Sequence, residues 1–131
     1  MTAIPTPALV VLVGPSGSGK TTWARHRFAA NEIVSSDALR AVVGSGEGDL
    51  DASDDAFAIL DAVVAARTRR GLTTVIDTLG LDPARRAAAV TIGRAAGLPV
   101  VAVRFVTALD LCRRRNRLRL PLCSQPTMRS A

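Results

Sequence analysis

The chain has 131 residues, a formal net charge of +6 and only 3% aromatic residues. This length predicts one domain with room for a hydrophobic core. The N-terminal apolar run lacks a preceding basic region and is too short for a signal peptide or a membrane span, so we expect a cytoplasmic protein with no membrane association. Cys112 and Cys123 lack His or Cys neighbours at metal-ligand spacing, which favours free thiols in a reduced compartment.

The positive charge is concentrated near the C-terminus. Residues 1–103 hold ten basic and ten acidic side chains, whereas residues 104–129 hold seven arginines against Asp110 alone. Such a segment predicts contact with nucleic acid or with nucleotide phosphates, although a solvated arginine-rich helix face has the same composition.

A glycine-rich segment near the N-terminus matches the phosphate-binding pattern G-x-x-x-x-G-K-[ST] at every fixed position. It contains the only lysine of the chain, Lys20. In such a loop the backbone N–H groups and the lysine bind phosphate oxygens, and the following hydroxyl, here Thr21, binds Mg²⁺. We therefore predict ATP and Mg²⁺ as cofactors. The predicted nucleotide-binding residues are Gly14, Pro15, Ser16, Gly17, Ser18, Gly19, Lys20, Thr21 and Thr22.

The flanking sequence supports this interpretation of the loop. Residues 8–13 are a short apolar run, typical of a strand buried on both faces. A helix is predicted from the lysine onward, and its inward stripe is expected to contain Trp23, Ala24, Phe28 and Ala29. A strand, a glycine loop and a helix in this order direct the helix N-terminus at the phosphates.

The middle of the chain continues the alternation of strands and helices. Residues 32–36 predict a strand, and residues 37–43 a helix capped by Ser36 or Asp37. Three glycines and three acids in residues 44–52 predict a mobile acidic loop. A long helix begins at Ser53, and the residues expected to face the sheet are Phe57, Leu60 and Val64.

The remaining segments complete an α/β pattern. Residues 72–77 predict a third strand, Asp82-Pro83 the start of a helix that reaches about Ala96, and residues 100–106 a fourth strand before a helix over residues 108–119. This alternation indicates a P-loop NTPase fold, a three-layer α/β/α architecture with a parallel sheet of about four strands. We expect one P-loop kinase-like domain over residues 1–119. Residues 120–131, interrupted by Pro121 and Pro126, are expected to form an irregular basic tail.

Acidic residues follow two of the predicted strands, and parallel α/β sheets bind ligands at the carboxyl ends of their strands. Asp77 is expected to orient Mg²⁺ together with Thr21, the alternative being a helix cap or a structural hydrogen-bond acceptor. Asp37 is the candidate general base for phosphoryl transfer to a hydroxyl, the alternative being a helix N-cap. Arg40, one turn later, would bind a negative group on the acceptor, or pair with an acid on the surface.

Five segments together resemble the kinase domain of bacterial polynucleotide kinase-phosphatases, within the polynucleotide-kinase-like branch of P-loop kinases. They are Gly-Pro-Ser-Gly-Ser-Gly-Lys-Thr-Thr-Trp-Ala, Val-Ser-Ser-Asp-Ala-Leu-Arg, the acidic loop that leads into Asp-Ala-Phe at residues 55–57, Thr-Val-Ile-Asp and Cys-Arg-Arg-Arg-Asn-Arg, and the resemblance covers residues 8–119. It implies that Asp37 is the general base for a 5′-hydroxyl and that Arg40 contacts a phosphate of the acceptor strand. It also implies that Arg115 and Arg119, four residues apart on a late helix, belong to a lid over ATP. The expected catalytic residues are therefore Lys20, Asp37, Arg40, Arg115 and Arg119.

The chain departs from that family in two places. The family follows its metal-binding aspartate with Ala-Thr-Asn, whereas Asp77 is followed by Thr78-Leu79-Gly80, which predicts a different acceptor geometry. Residues 120–126 break the pattern of the family's longer lid helix and fifth strand, so we expect an incomplete lid and an exposed edge on the fourth strand. From this departure we expect either a truncated gene product or a compact relative whose lid works differently.

Three functions are compatible with these residues. The first is an ATP-dependent kinase whose acceptor is a nucleic-acid 5′-end. The second is a kinase for a small molecule with a hydroxyl group, since this fold serves many acceptors. The third is a module that binds ATP without transferring phosphate, because its lid is incomplete.

Overall fold

The computed structural model describes residues 4–15, 18–78, 82–105 and 127–130, the last four through their backbone alone. Short 3₁₀ turns lie at Ala30–Glu32 and Leu50–Ala52. The strands and helices, in chain order, are β1 (Leu9–Val13), α1 (Lys20–Arg27), β2 (Ile33–Ser35), α2 (Ser36–Val43), α3 (Ser53–Arg69), β3 (Thr74–Asp77), α4 (Pro83–Ala95), β4 (Val100–Arg104) and β5 (Thr127–Ser130).

The strands form one sheet in the order β2-β3-β1-β4-β5. The pairs β2 with β3, β3 with β1 and β1 with β4 are parallel. Parallel neighbours require a crossover connection, and the helices between the strands supply it. The predicted α/β fold with a parallel sheet of about four strands is confirmed.

The C-terminal segment differs from its prediction. Residues 127–130 form β5, which pairs antiparallel with β4 and places Met128 opposite Val103. The expectation of an irregular tail is therefore wrong for these four residues, and the edge of β4 is covered in the structure. An edge strand exposes unpaired N–H and C=O groups that a further strand satisfies. Pro121 and Pro126 signal breaks only in their own neighbourhood, and the helix predicted over residues 108–119 lies outside the described residues.

The hydrophobic core lies on both faces of the sheet, because every residue of β1 is buried. On one face Val11 packs in a cluster with Leu60 of α3, and α4 contributes to the same cluster. On the opposite face Val10 and Leu12 pack with Ala24 of α1. Side chains alternate between the faces of a strand, so a continuous apolar run serves both helical layers.

The inward stripe of α1 agrees with its prediction in three residues out of four. Ala24 is fully buried, and Trp23 and Phe28 are partly buried against the same cluster. The Trp23 ring lies 6.0 Å from that of Phe28 and 5.6 Å from that of Phe105. Ala29 is exposed, and it lies two residues beyond the end of the helix at Arg27.

The predicted start of α4 is confirmed. Asp82 accepts a hydrogen bond of 2.9 Å from the backbone N–H of Ala84, and Pro83 occupies the first turn, where no intrahelical N–H partner is needed. Across the described part of the chain, the helices are all too short or too polar to cross a membrane.

Candidate active site

The strand order brings three predicted site segments to one edge of the sheet. β3 lies between β1 and β2, and its last residue, Asp77, is in register with Leu12 of β1 and Ser35 of β2. The phosphate loop begins at Gly14, two residues after Leu12, and Asp37 follows two residues after Ser35. Adjacent strands are about 4.8 Å apart, so Asp77 stands between the phosphate loop and Asp37.

Glycine is required at two points where the phosphate loop meets the fold. A Cβ atom on Gly14 would lie 2.9 Å from the Cβ of Phe105 and 3.0 Å from its carbonyl oxygen. Gly19 has a φ of 88°, in the left-handed region that favours glycine, and it ends the loop at the start of α1. The predicted loop residues Ser16 and Gly17 lie outside the described residues.

Lys20, Thr21 and Asp77 meet in a polar cluster in which Lys20 and Asp77 are buried and Thr21 is exposed. The hydroxyl of Thr21 donates a hydrogen bond of 2.7 Å to Oδ2 of Asp77. Nζ of Lys20 lies 3.9 Å from Oδ1 of the same carboxylate, and Lys20 and Asp77 are 8% and 6% exposed. Buried charges are tolerated when they are paired, as here. Asp77 is not the cap of the following helix, since Asp82 has that position.

The cluster fits a phosphate and a magnesium ion. The hydroxyl of Ser18 is buried and has no hydrogen-bond partner among the described residues, as expected of a loop whose polar groups are completed by an anion. Mg²⁺ usually takes one or two carboxylates together with substrate phosphates, and the hydroxyl–carboxylate pair of Thr21 and Asp77 matches that donor set. The described ranges hold no group of three or more His, Cys, Asp or Glu that could bind a metal ion without a substrate.

A cavity of about 570 Å³ opens at this edge of the sheet, and we call it the reaction cavity. Its lining contains the polar cluster of Lys20, Thr21 and Asp77. The same lining contains Asp37 of α2 and Glu47 of the acidic loop. The structure therefore gathers the residues predicted for phosphate, metal and proton transfer around one space.

Asp37 is the second residue of α2 and does not cap it. The cap is Ser35, whose Oγ accepts a hydrogen bond of 3.3 Å from the N–H of Ala38. The sequence prediction of Ser36 or Asp37 as the cap is therefore wrong, since the cap lies one or two residues earlier in the chain. Ser35 ends β2 with extended backbone angles, which is the geometry that an N-cap needs. The Asp37 side chain is 57% exposed, and Asp37 belongs to the lining of the reaction cavity.

Arg40 lies beside Asp37, as the helical spacing predicts. Its guanidinium forms an ion pair with the Asp37 carboxylate. Its Nε donates a hydrogen bond of 2.9 Å to the backbone oxygen of Glu47. The Arg40 side chain is only 15% exposed. Arg40 therefore holds the base candidate and the acidic loop together.

The acidic loop, residues 44–52, is organised by one carboxylate. Asp49 accepts hydrogen bonds from the N–H of Ser45 at 3.0 Å and from the N–H of Asp51 at 3.2 Å. The N–H of Ser45 is the main reason that the pKa of Asp49 lies below its ordinary value. Where the sequence predicts a mobile loop, the structure has a hydrogen-bonded turn followed by the Leu50–Ala52 3₁₀ turn.

A second cavity of about 710 Å³ lies next to the reaction cavity, and Thr78 lines both. Arg40 and Phe57 contribute to its walls. Arg85 of α4 places its guanidinium 4.6 Å from the centre of the Phe57 ring and pairs with both carboxylate oxygens of Asp61, at 3.1 and 2.5 Å. The second cavity is thus bounded by arginines that already have acidic partners.

Phe57 does not face the sheet in the way its spacing predicts. The buried stripe of α3 runs through Ala56, Leu60 and Val64 at intervals of four residues. Phe57 follows Ala56 by one position, about 100° around the helix, and is only half-buried. Leu60 and Val64 do face the core, as expected.

The reaction cavity also contains residues that the sequence analysis missed. Arg25 of α1 and Glu47 both line it. The spacing of four residues between Thr21 and Arg25 is a signal that would have found the arginine, since it places both on one helix face. The predicted lid residues Arg115 and Arg119 lie outside the described residues.

The sequence profile of the AAA domain family matches residues 9–121, and the chain belongs to this family. The match includes the phosphate loop, Asp37 and Asp77. The chain is accordingly a P-loop kinase-like domain. The resemblance to polynucleotide-kinase-like P-loop kinases is confirmed at the level of family and fold. No curated protein sequence matches the chain.

Solved structures that share the fold include an RNA repair complex and an APS kinase. A chain of the Pnkp1/Rnl/Hen1 RNA repair complex has a TM-score of 0.65 and 22% identity, over 88% of this chain and 39% of that one. The Mycobacterium tuberculosis APS kinase CysC in complex with AMPPNP and APS has a TM-score of 0.57 and 22% identity, over 86% of this chain and 70% of that one. The chain spans less than half of the repair-complex chain.

Proposed function

We propose that the protein is an ATP-dependent phosphotransferase that transfers the γ-phosphoryl group of ATP to a hydroxyl acceptor. The observation that carries the proposal is the placement of Asp77 between the phosphate loop and Asp37, with all three around one cavity. A nucleotide-binding loop alone accounts for binding. A carboxylate across the cavity from that loop is what phosphoryl transfer to a hydroxyl also needs.

The nucleotide half of the site would act by positioning and by charge. The loop N–H groups and Lys20 would bind the β- and γ-phosphates. Thr21 and Asp77 would hold Mg²⁺, which neutralises charge on the phosphate oxygens when it is bound. Because Lys20 and Asp77 are buried, their charges are poorly screened by water and their attraction to phosphate and metal is strengthened.

The acceptor half would activate the hydroxyl. Asp37 would accept the hydroxyl proton while the acceptor oxygen forms a bond to the γ-phosphorus and the bond from that phosphorus to the bridging oxygen breaks, so that ADP leaves. The ion pair with Arg40 orients the Asp37 carboxylate. Arg115 and Arg119 would neutralise charge on the nucleotide from the late helix.

A polynucleotide 5′-hydroxyl is the acceptor that we favour. The segment Ser-Ser-Asp-x-x-Arg at residues 35–40 supports it through the family resemblance. The structural likeness to a chain of an RNA repair complex supports it further. A small-molecule hydroxyl is the second candidate. The likeness to APS kinase favours it, because that match covers 70% of the APS kinase chain, whereas the match to the repair-complex chain covers 39% of that chain.

The test is phosphate transfer from γ-labelled ATP in the presence of Mg²⁺. The acceptors are a 5′-hydroxyl oligonucleotide, the same oligonucleotide with a 5′-phosphate as control, and adenosine phosphosulfate as the small-molecule arm. We expect label on the 5′-hydroxyl oligonucleotide alone. Label on the small molecule alone would replace the favoured acceptor by the second candidate. Binding of ATP without transfer to any acceptor would contradict the kinase and support an ATP-binding module.

A further inference from the structure

Three arginines lie at the end of the sheet that is opposite the reaction cavity. Arg69 ends α3 and Arg70 follows it, shortly before β3 begins. Arg94 lies in the last turn of α4, which leads into the start of β4. The first residues of β3 and β4 are both in register with Leu9, the first residue of β1, and α3 and α4 pack on the same face of the sheet. We call Arg69, Arg70 and Arg94 the amino-edge cluster.

The side chains of the amino-edge cluster are not committed to the fold. All three arginines are exposed. Within the part of the chain that the structure describes, none of their guanidinium groups has an ion pair or a hydrogen bond. Arg67 differs from them, because its guanidinium donates hydrogen bonds to the backbone oxygen of Thr73 at 2.9 Å and to the hydroxyl of Thr74 at 3.2 Å. Arg67 therefore holds the turn into β3, and Arg69 and Arg70 remain available to a ligand.

Acidic residues are missing from the segments that carry the cluster. Residues 62–76 hold three arginines, residues 83–105 hold four, and neither segment contains Asp or Glu. The nearest acid along α3 is Asp61, eight residues or about 12 Å before Arg69, and it is already paired with Arg85. At the other end of the sheet, three acidic residues line the reaction cavity. Cations that lie close together without an acid repel one another, and a bound polyanion would remove this repulsion.

The layout of the cluster fits a chain of phosphates. β3 and β4 are the two neighbours of β1, so the strands that follow Arg70 and Arg94 start about 10 Å apart. One nucleic-acid strand has a phosphate about every 3.4 Å, so about three nucleotides cover that span. Arginine binds phosphate in a bidentate manner. The exposed apolar side chain beside these arginines is Leu72, at 42%. Binding to a lipid surface needs a larger apolar face, so nucleic acid is the better match.

We propose that the amino-edge cluster binds the phosphate backbone of a nucleic-acid strand without reading its sequence. This surface is separate from the reaction cavity, because β3 alone places Thr74 about 10 Å from Asp77 and the cluster precedes Thr74 in the chain. The inference goes beyond the proposed function and does not rest on it, since the surface needs neither ATP nor a 5′-end. For a polynucleotide acceptor, the cluster would hold the strand away from its reacting end.

The test measures the binding of a fluorescent, circular single-stranded DNA by anisotropy over a range of salt concentrations. The circle has no end, so it cannot place a 5′-hydroxyl in the reaction cavity. Each phosphate contact to a single strand contributes about 0.7 to the slope of log affinity against log salt. The triple variant Arg69→Gln, Arg70→Gln and Arg94→Gln should therefore lower the slope by about 2. Lysine at the same three positions should keep the wild-type slope, because the charge is retained. Residues 104–129 keep their seven arginines in every variant, so the change in slope reports on the cluster.

α4 offers a matched control, because it carries an exposed arginine near each end. Arg94→Gln alone should lower the slope by about 0.7. Arg86→Gln, about 12 Å away along the helix toward the other end of the sheet, should leave the slope unchanged. Both substitutions remove one positive charge from an exposed side chain, so the pair separates a contact from a change in net charge. Because the substituted residues are exposed, all variants are expected to fold, and their melting temperatures should stay close to that of the wild-type protein.

Three results would overturn the inference: a wild-type protein that does not bind the circle, an unchanged slope in the triple glutamine variant, or an equal loss in Arg86→Gln. A loss that lysine does not restore would also contradict it. Binding to vesicles of phosphatidylserine and phosphatidylcholine that depends on the cluster, in place of binding to DNA, would assign the surface to a membrane.

The proposed function is tested apart, with a 5′-hydroxyl dinucleotide that is too short to reach both ends of the sheet. The triple glutamine variant should phosphorylate this acceptor at the wild-type rate, because the cluster lies outside the reaction cavity. Absence of transfer by both proteins, with the change in salt slope intact, would contradict the kinase alone. Normal transfer with an unchanged slope would contradict the inference alone.

Discussion

The two halves of the reaction cavity are built differently. The proposed nucleotide half contains Lys20, at the start of α1, and Asp77, at the end of the buried strand β3, and these residues are 8% and 6% exposed. The proposed acceptor half contains Asp37, with a side chain that is 57% exposed, together with Arg40 and the acidic loop. Pairing of β3 with its neighbouring strands positions the nucleotide half. Short-range contacts among Asp37, Arg40 and the acidic loop position the acceptor half.

This difference indicates which half of the cavity is fixed by the fold and which half tolerates substitution. A change in the nucleotide half disturbs paired strands and buried charge, so its geometry is set together with the core. The acceptor half lies on a helix start and a loop, where substitutions alter few buried contacts. One fold can therefore keep its nucleotide chemistry while its acceptor changes.

The largest expected effect comes from removing Asp37, the proposed general base in the exposed half. Asp37→Asn keeps the shape of the side chain but cannot accept the hydroxyl proton. General base catalysis contributes about 10²–10⁴-fold, so kcat should fall by that factor while the affinity for Mg·AMPPNP stays unchanged. Steady-state kinetics and calorimetry measure the two quantities. Transfer by Asp37→Asn at the wild-type rate would show that Asp37 is not the general base.

A substitution in the buried half should affect binding and transfer together. Lys20→Met removes the charge that would contact the β- and γ-phosphates, and the loss of one electrostatic stabiliser costs about 10²–10³-fold in kcat. It also leaves the buried Asp77 carboxylate without its cation, so ATP affinity and the melting temperature should both fall. Arg27→Gln serves as the exposed control. A variant with wild-type turnover would contradict the nucleotide half as described.

The smallest expected effect is confined to the acidic loop. The pKa of Asp49 is lowered in the folded protein, chiefly by the N–H of Ser45. Asp49 therefore stabilises the loop above its unfolded pKa of about 3.9, and this contribution is lost as the pH falls through the lower folded value. Amide exchange protection of residues 44–52 should drop below about pH 4 in the wild-type protein.

Asp49→Ala should show the low protection of those residues at neutral pH as well, because it removes the acceptor of the Ser45 and Asp51 amides. Binding of Mg·AMPPNP at neutral pH should be unchanged in this variant. Protection that is independent of both pH and Asp49 would contradict this account of the loop. A loss of nucleotide affinity in Asp49→Ala would show that the acidic loop also shapes the nucleotide half of the reaction cavity.

The sequence predicts best those features that depend on neighbouring residues. Residues 8–21 are enough to predict a strand, a phosphate loop and a helix, because each of these elements depends on a few adjacent residues. Asp82-Pro83 predicts the start of α4 for the same reason. The cap of α2 is missed because Ser35, Ser36 and Asp37 are all good capping residues, and only the end of β2 decides among them.

Features that depend on distant residues are predicted less well. Phe57 has the spacing of a core residue, but the buried stripe of α3 runs through Ala56 instead. Packing of the helix against the sheet decides which of the two residues is buried. Arg25 belongs to no motif, and its spacing of four residues from Thr21 places it in the site only once the fold shows which face of α1 lines the cavity. β5 pairs with β4 across more than twenty residues of chain, and local propensity carries no information about such a pairing.

The sequence by itself determines that this protein has a phosphate loop and an α/β fold, because the loop is recognised from eight adjacent residues whose chemistry is local. Only the tertiary structure decides that Asp77 lies between that loop and Asp37. The order β2-β3-β1 results from long-range hydrogen bonding and the burial of both sheet faces, and no local segment encodes it. The Asp77–Thr21 bond and the exposed position of Arg25 follow from the same arrangement.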